Sequence, residues 1–164
     1  MRGPCISSFF TLIGTVSITE DGNGSITGVF LPSDNLPSMD QGETPALKEA
    51  AKQIEEYLSA KRTEFDLEMS YEVSDFRSRV MEEMAKIPYG TVRTYKEIAD
   101  AIGSPGSSRA VGTACRENPL PILIPCHRVI PATGGYGNYA GGTALKRKLL
   151  NLEGVHLDRL PQDA

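Results

Sequence analysis

Residues 7 to 32 alternate β-branched and aromatic side chains with small or polar ones, and Asp21-Gly22-Asn23-Gly24 breaks the alternation. That pattern predicts a hairpin, two strands joined by a glycine turn able to take positive φ. Residues 31 to 42, rich in Pro, Ser, Asp and Asn, read as a loop. The period then changes. From Thr44 to about Ala60, the side chains of Leu47, Ala50, Ala51, Ile54, Tyr57 and Leu58 share one helical face. Pro45 takes the first helical position, where its missing N–H costs nothing. A short strand is expected over residues 65 to 69.

Ser74 reads as the N-cap of a second helix carrying Phe76, Val80, Met81 and Met84 to Ile87. Pro88-Tyr89-Gly90 stops it and marks the expected domain boundary. Thr94 and Glu97 form a capping box, each able to satisfy a helix-end amide of the other, and start a helix to Ile102. Gly103-Ser104-Pro105-Gly106 turns the chain into another short helix over residues 107 to 117. Two short helices on a tight turn make a helix-turn-helix candidate, although a plain helical corner has the same outline. The second helix is stripped of bulk: Ser107, Ser108, Ala110, Gly112 and Ala114 are small, and Arg109 is the only long side chain in its first turn. Such a helix can approach a packed neighbour or a nucleic-acid groove closely. A last helix, capped by Thr143, runs through Leu145, Leu149, Leu150 and Leu152, with Gly154 as its C-terminal cap. Glu153 is out of place there, because an acid at a helix C-terminus meets the negative end of the dipole.

Composition adds a division that periodicity does not show. The chain has 164 residues, 40% of them apolar, enough for one large or two small packed domains. Residues 1 to 85 hold 7 Lys/Arg against 15 Asp/Glu, whereas residues 86 to 150 hold 9 against 3, so a net charge of −4 conceals a basic segment. A uniformly cationic nucleic-acid binder is excluded; a local electrostatic footprint is not. The longest apolar stretches, near residues 9 to 16 and 119 to 125, are too short for a membrane span, and no small-residue cleavage site follows the start. Cys5, Cys115 and Cys126 form no Cys-x-x-Cys pair, and with only His127 and His156 beside them they give neither zinc spacing nor a disulfide framework. A cytoplasmic protein, or a nuclear one in a eukaryote, with reduced thiols is expected.

The densest chemistry lies at residues 118 to 131, where four prolines in 13 residues forbid a helix and deliver Cys126 to a fixed place. His127 and Arg128 beside it are groups that lower a thiol pKa toward neutrality. Cys5 and Cys115 read as inert packing. The following Gly134-Gly135-Tyr136-Gly137-Asn138-Tyr139-Ala140-Gly141-Gly142 lacks phosphate-loop and dinucleotide spacing, and its two tyrosines suit the wall of a flat-ligand pocket. Glu153 is either an exposed, tolerated acid or a carboxylate that orients His127 and completes a Cys-His-Glu relay.

Residues 88 to 154 strongly resemble the catalytic domain of the O6-alkylguanine-DNA alkyltransferases. The resemblance rests on Pro125-Cys126-His127-Arg128-Val129 with Asn118-Pro119 upstream, Thr94-Tyr95, Ser108-Arg109-Ala110-Val111-Gly112, Gly137-Asn138-Tyr139-Ala140-Gly141-Gly142 and the closing Leu149-Leu150-x-x-Glu153-Gly154. Six elements in one order are far more specific than any one of them. The resemblance implies an α/β protein. Its small N-terminal sheet-plus-helix domain, ribonuclease H-like, would span residues 1 to 87. A mainly helical, winged-helix-like DNA-binding catalytic domain would span residues 88 to 164.

By that resemblance, Cys126 takes the alkyl group from guanine O6 and keeps it, so each molecule acts once. His127 serves as base through a water, and Glu153 orients it. Tyr95 donates a hydrogen bond to the base, and Asn118 stabilises the turn before the cysteine. Pro121, Val129, Tyr139, Ala140 and Gly141 line the substrate pocket. Tyr95, Lys96, Ser104, Ser108, Arg109, Ala110 and Ala132 contact double-stranded DNA, with Arg109 filling the stack vacated by the flipped nucleotide. Ala140 stands where serine is frequent and removes one hydrogen bond to the base. The family's N-terminal zinc ligands are absent, and neither metal nor cofactor is expected. A monomer is expected, with O4-alkylthymine left open as a second substrate. Two other readings compete. A damage-sensing relative would lack the nucleophile that Cys126 supplies. A Cys-His-Glu hydrolase would need an oxyanion-hole motif and would leave the helix pair idle.

Overall fold

The computed structural model describes residues 3–157, so the outermost positions of both expected domains lie outside the described residues. It is a mixed α/β protein whose chain divides into two compact units. One runs through Glu72 and also takes in Pro119–Leu123; the other comprises Val73–Asn118 and the chain from Ile124 onward. This differs from the expected boundary at 87/88 in two places. The helix after Ser74 joins the second unit, because its buried Met84 packs sulfur to sulfur against Cys115 at 3.5 Å. The stretch before Cys126 joins the first, because the Val29 N–H donates to the Pro119 carbonyl at 2.9 Å.

In the first unit, β1 (Cys5–Thr11), β2 (Gly14–Glu20), β3 (Ile26–Phe30) and the short β4 (Asp40–Gln41) form one sheet in the order β3-β2-β1-β4. The expected glycine turn joins β2 to β3. Its amides at Gly22 and Gly24 reach Glu20 Oε2, and those at Asn23 and Ser25 reach Asp21 Oδ1. A second hairpin, not foreseen, splits the expected first strand at Leu12-Ile13. These residues carry no turn signal. The Thr11 hydroxyl closes the turn by accepting from Ile13 N–H and donating to the Gly14 carbonyl, and Gly14 takes a φ of 110°. The strand expected at 65 to 69 is reduced to a bridge beside Ile26, with Ile26 N–H donating to Glu68 O. Helix α1 (Pro45–Leu58) starts with Pro45 as expected and is capped by Thr44, and its buried face also includes Gln53, whose amide group holds the backbone of Asp66.

In the second unit, α2 (Asp75–Ala85) starts at Ser74 and ends two residues short of expectation. The two-residue β5 (Arg93–Thr94) runs parallel to β6 (Val129–Ile130), pairing Arg93 with Val129 and Thr94 with Ile130. Thr94 also caps α3 (Tyr95–Ala101) through the complete capping box with Glu97. Helix α4 (Ser108–Arg116) follows, and residues Cys126–Arg128 form a single 3₁₀ turn. Helix α5 (Thr143–Leu152) is capped by Gly142 and not by Thr143, whose hydroxyl donates to the Gly137 carbonyl instead. At its far end Gly154 N–H donates to Asn151 O and Val155 N–H to Leu150 O, with Gly154 at φ 86°: the left-handed glycine cap that the sequence suggests. Among the described residues, no helix is long and apolar enough to cross a membrane.

Candidate active site

Cys126 opens the 3₁₀ turn and is 1% exposed. Burial pushes its thiol up to about 11, against the opposing pull of an Asn118 hydrogen bond and the Lys146 charge. The expectation of a thiol lowered by its neighbours is therefore corrected: desolvation of the thiolate outweighs them. Arg128 is committed elsewhere. Its guanidinium grips Glu153 with Nε to Oε1 at 2.8 Å and Nη2 to Oε2 at 3.0 Å, and its Nη1 donates to the Ile87 carbonyl at 2.6 Å. Asn118 bridges the chain on the near side of the turn, donating from Nδ2 to the Ile124 carbonyl at 2.9 Å.

His127 is fully buried, with Nε2 2.8 Å from Glu153 Oε2. Burial lowers its pKa below the usual histidine value despite the raising effect of Glu153. Burial alone would raise Glu153, but hydrogen bonds from His127 and Arg128 and the Gly90 N–H hold it at about 2. A neutral imidazole beside an ionised carboxylate gives its N–H to that carboxylate. Nε2 therefore carries the proton, and Nδ1 is the basic nitrogen. The odd acid at the end of α5 thus has a full set of partners.

The 3₁₀ turn runs into β6, and the β5 strand beside it leads straight into Tyr95. Burial pushes the Tyr95 phenol up to about 12, so its hydroxyl stays a hydrogen-bond donor at neutral pH. Behind it, buried Lys146 donates to the Val129 carbonyl at 2.6 Å, the Asn138 carbonyl at 3.2 Å and the Tyr95 hydroxyl at 3.4 Å. Burial lowers that ammonium to about 8. An open cleft of about 460 Å³ reaches Tyr95 from outside, between α4 and the loop after β6. Lys96, Ser108, Arg109 and Ala132 line it, together with Gly112, Thr113, Arg116, Pro131, Gly137 and Asn138.

The remaining expected residues are dispersed. Ala110 is exposed on α4 outside the cleft lining, and Ser104 pairs its hydroxyl with that of Ser107. Val129 and Tyr139 are buried, Ala140 is exposed, and none of the three lines the cleft. Pro121 sits in the segment that packs with the first unit. Tyr136 is not a pocket wall: it is buried with Ile130, Leu150 and Leu157.

Residues 75–155 match the family model described as 6-O-methylguanine DNA methyltransferase, DNA binding domain. A methylated-DNA–protein-cysteine methyltransferase of Mycobacterium tuberculosis is 48% identical over 146 residues, 83% of this chain and 85% of the relative. The chain belongs to the O6-methylguanine DNA methyltransferase family. The constitutive methylated-DNA–protein-cysteine methyltransferase of Bacillus subtilis is 39% identical over 153 residues, 88% of this chain and 92% of that one. Among solved structures, that of Mycobacterium tuberculosis OGT in complex with DNA superimposes with a TM-score of 0.83 at 39% identity, covering 90% of this chain and 91% of that one.

Sequence reasoning missed two parts of this methyltransferase site. Lys146 lies on the same helical stripe as buried Leu149, Leu150 and Glu153, spaced three, four and seven residues on. A lysine in phase with leucines was the available signal. The second part is the turn from Ile87 to Gly90, whose sequence signals only a helix stop and a domain boundary.

Proposed function

We propose that this protein repairs DNA by moving the alkyl group of O6-alkylguanine onto Cys126, irreversibly and once per molecule. The observation that carries the reading is a buried thiol followed directly by a histidine whose Nε2 is held 2.8 Å from an ionised, buried Glu153. His127 Nδ1 takes the thiol proton through a water. The thiolate sulfur then attacks the alkyl carbon; the S–C bond forms as the C–O6 bond breaks, and the electron pair passes to the purine. Tyr95 donates a hydrogen bond to the base as that charge develops. Asn118 holds the turn. The thioether has no good leaving group, so the cycle ends there. Cys126 also argues against a damage sensor without a nucleophile.

A base inside a duplex cannot meet a thiol buried in this way, so the nucleotide flips out, at about a few kcal/mol. Exposed Arg109 on α4 fills the gap, while Lys96, Ser104, Ser108, Ala110 and Ala132 face the backbone and groove. Val129, Tyr139, Ala140 and Gly141, which lie together in the second unit, are read as the wall of the base pocket. The first unit is read as ribonuclease H-like and the second as winged-helix-like, and the protein acts as a monomer. That none of Cys5, Cys115 and Cys126 is joined in a disulfide supports a reducing compartment such as the cytoplasm.

Incubation with an oligonucleotide carrying O6-methylguanine is expected to add one methyl mass to the peptide holding Cys126, with product equal to protein. Repeated turnover, or label on another residue, sinks the reading. Arg109→Ala should slow repair in duplex about tenfold or more while leaving reaction with free O6-benzylguanine within about twofold; equal losses on both substrates remove the finger role.

A further inference from the structure

The turn that stops α2 does more than end a helix. Its Ile87 carbonyl receives Arg128 Nη1 at 2.6 Å, the Tyr89 ring lies under the Arg128 guanidinium at 5.7 Å, and the Gly90 N–H donates to Glu153 Oε1 at 3.0 Å. The Tyr89 hydroxyl reaches the Leu152 carbonyl, one residue before Glu153, at 3.4 Å. Gly90 has a φ of 79°, and a Cβ there would lie 3.2 Å from the Glu153 carbonyl, so the close approach needs a glycine. Three successive contacts from one turn converge on the Arg128–Glu153 pair.

The count of partners on Glu153 carries the argument further. Oε1 accepts from Gly90 N–H and Arg128 Nε, while Oε2 faces Arg128 Nη2 and His127 Nε2. A carboxylate with both oxygens already engaged in this way, two of the contacts from a fixed guanidinium fork, is a poor proton acceptor. We propose that the Ile87–Gly90 turn and Arg128 act together as a positioning clamp that keeps Glu153 an oriented, proton-free anion, so that the proton taken from Cys126 rests on His127. This rests on the reading of Cys126 as the alkyl acceptor. Within the clamp the turn fixes Arg128, whose guanidinium holds Glu153, and Tyr89 stiffens that guanidinium through its face.

A clamp of this kind sets the pH dependence of the thiol. The charged and titratable groups around the dyad are Arg128 and Cys126 on the turn, Lys146 on α5 and Tyr89. Of these, Arg128 and Lys146 disfavour a charged His127, whereas Glu153 favours it. Loosening Arg128 strengthens Glu153 as a base, raises the histidine pKa and leaves less neutral imidazole in weakly acidic solution. A residue that merely packs would lower activity equally at every pH.

The test uses the full-length protein and two electrophiles, a duplex oligonucleotide with O6-methylguanine and iodomethane, each read as methyl mass on the Cys126 peptide from pH 5.5 to 9. With iodomethane the S–C bond forms, iodide leaves, and the thiol proton passes to His127. Tyr89→Leu is expected to be about three- to tenfold slower than wild type at pH 6 and within about twofold at pH 9, and Tyr89→Phe to match wild type throughout. A pH-independent loss in Tyr89→Leu, or the same loss in Tyr89→Phe, overturns the clamp. If wild type reacts with iodomethane along this profile but not with the oligonucleotide, the alkyl-transfer reading fails and the clamp stands. Should Tyr89→Leu not fold, ¹³C-carboxyl spectra of wild type decide: Glu153 is expected not to titrate between pH 7 and 3, and a midpoint near that of an ordinary glutamate overturns the proposal.

Discussion

In the unit built on the four-stranded sheet, three buried polar side chains, Thr11, Glu20 and Gln53, hold backbone groups of turns and loops. Glu20 accepts the amides of its own turn, Thr11 closes the preceding hairpin, and Gln53 holds the chain at Asp66. In the other unit, buried His127, Arg128, Lys146 and Glu153 serve the neighbourhood of one thiol, and three of them join side chain to side chain. The two sets are alike in burial and opposite in connectivity. A buried polar residue satisfied by local amides shapes a loop. One satisfied by another ionisable side chain stores charge that can answer a reaction.

That contrast can be broken by substitution. Glu153→Gln leaves the Arg128 charge buried without its counterion, and a cost of about 3–5 kcal/mol is expected in urea unfolding. Methyl transfer to Cys126 should fall about a hundredfold or more with it. If stability or rate is barely changed, the network is not one. Acid sharpens the comparison next. A carboxyl held at about 2 stabilises the fold fully above the unfolded glutamate pKa and loses that contribution as pH falls through its folded value. Wild type should therefore lose up to about 3 kcal/mol between pH 4.5 and 2 that Glu153→Gln does not lose, measured as urea midpoints at each pH. The smallest effect belongs to the other unit: Glu20→Gln keeps a carbonyl for the turn amides, should cost only about 1 kcal/mol, and should leave the methyl-transfer rate unchanged. A rate loss there would erase the distinction.

The same contrast explains what the sequence made legible. Local signals worked: Pro45 at the start of α1, the caps at Ser74 and Thr94 and the glycine stop at Gly154 all act within a few residues, and each appears as read. The hairpin at Leu12-Ile13 escaped because its closing group is a threonine hydroxyl and its tip is apolar, with Leu12 68% exposed. Motifs single out Cys126, His127 and Glu153, and the structure brings His127 Nε2 within 2.8 Å of Glu153 Oε2. The direction of the thiol shift was misread because burial is a tertiary property that adjacent letters do not carry. Arg128 was assigned to the wrong partner for the same reason: its carboxylate lies 25 positions away.

The path of residues 118 to 124 has a consequence for anyone dividing this protein. The chain quits the second unit after Asn118, lends Pro119–Leu123 to the first, and returns at Ile124 just ahead of Cys126. No single cut between residues 72 and 73, or anywhere else, yields two whole halves. A fragment beginning near residue 73 takes away the Pro119 carbonyl that receives the Val29 amide on the outer edge of β3. The two units are interlaced in sequence, and inheritance or engineering must treat them as a single piece.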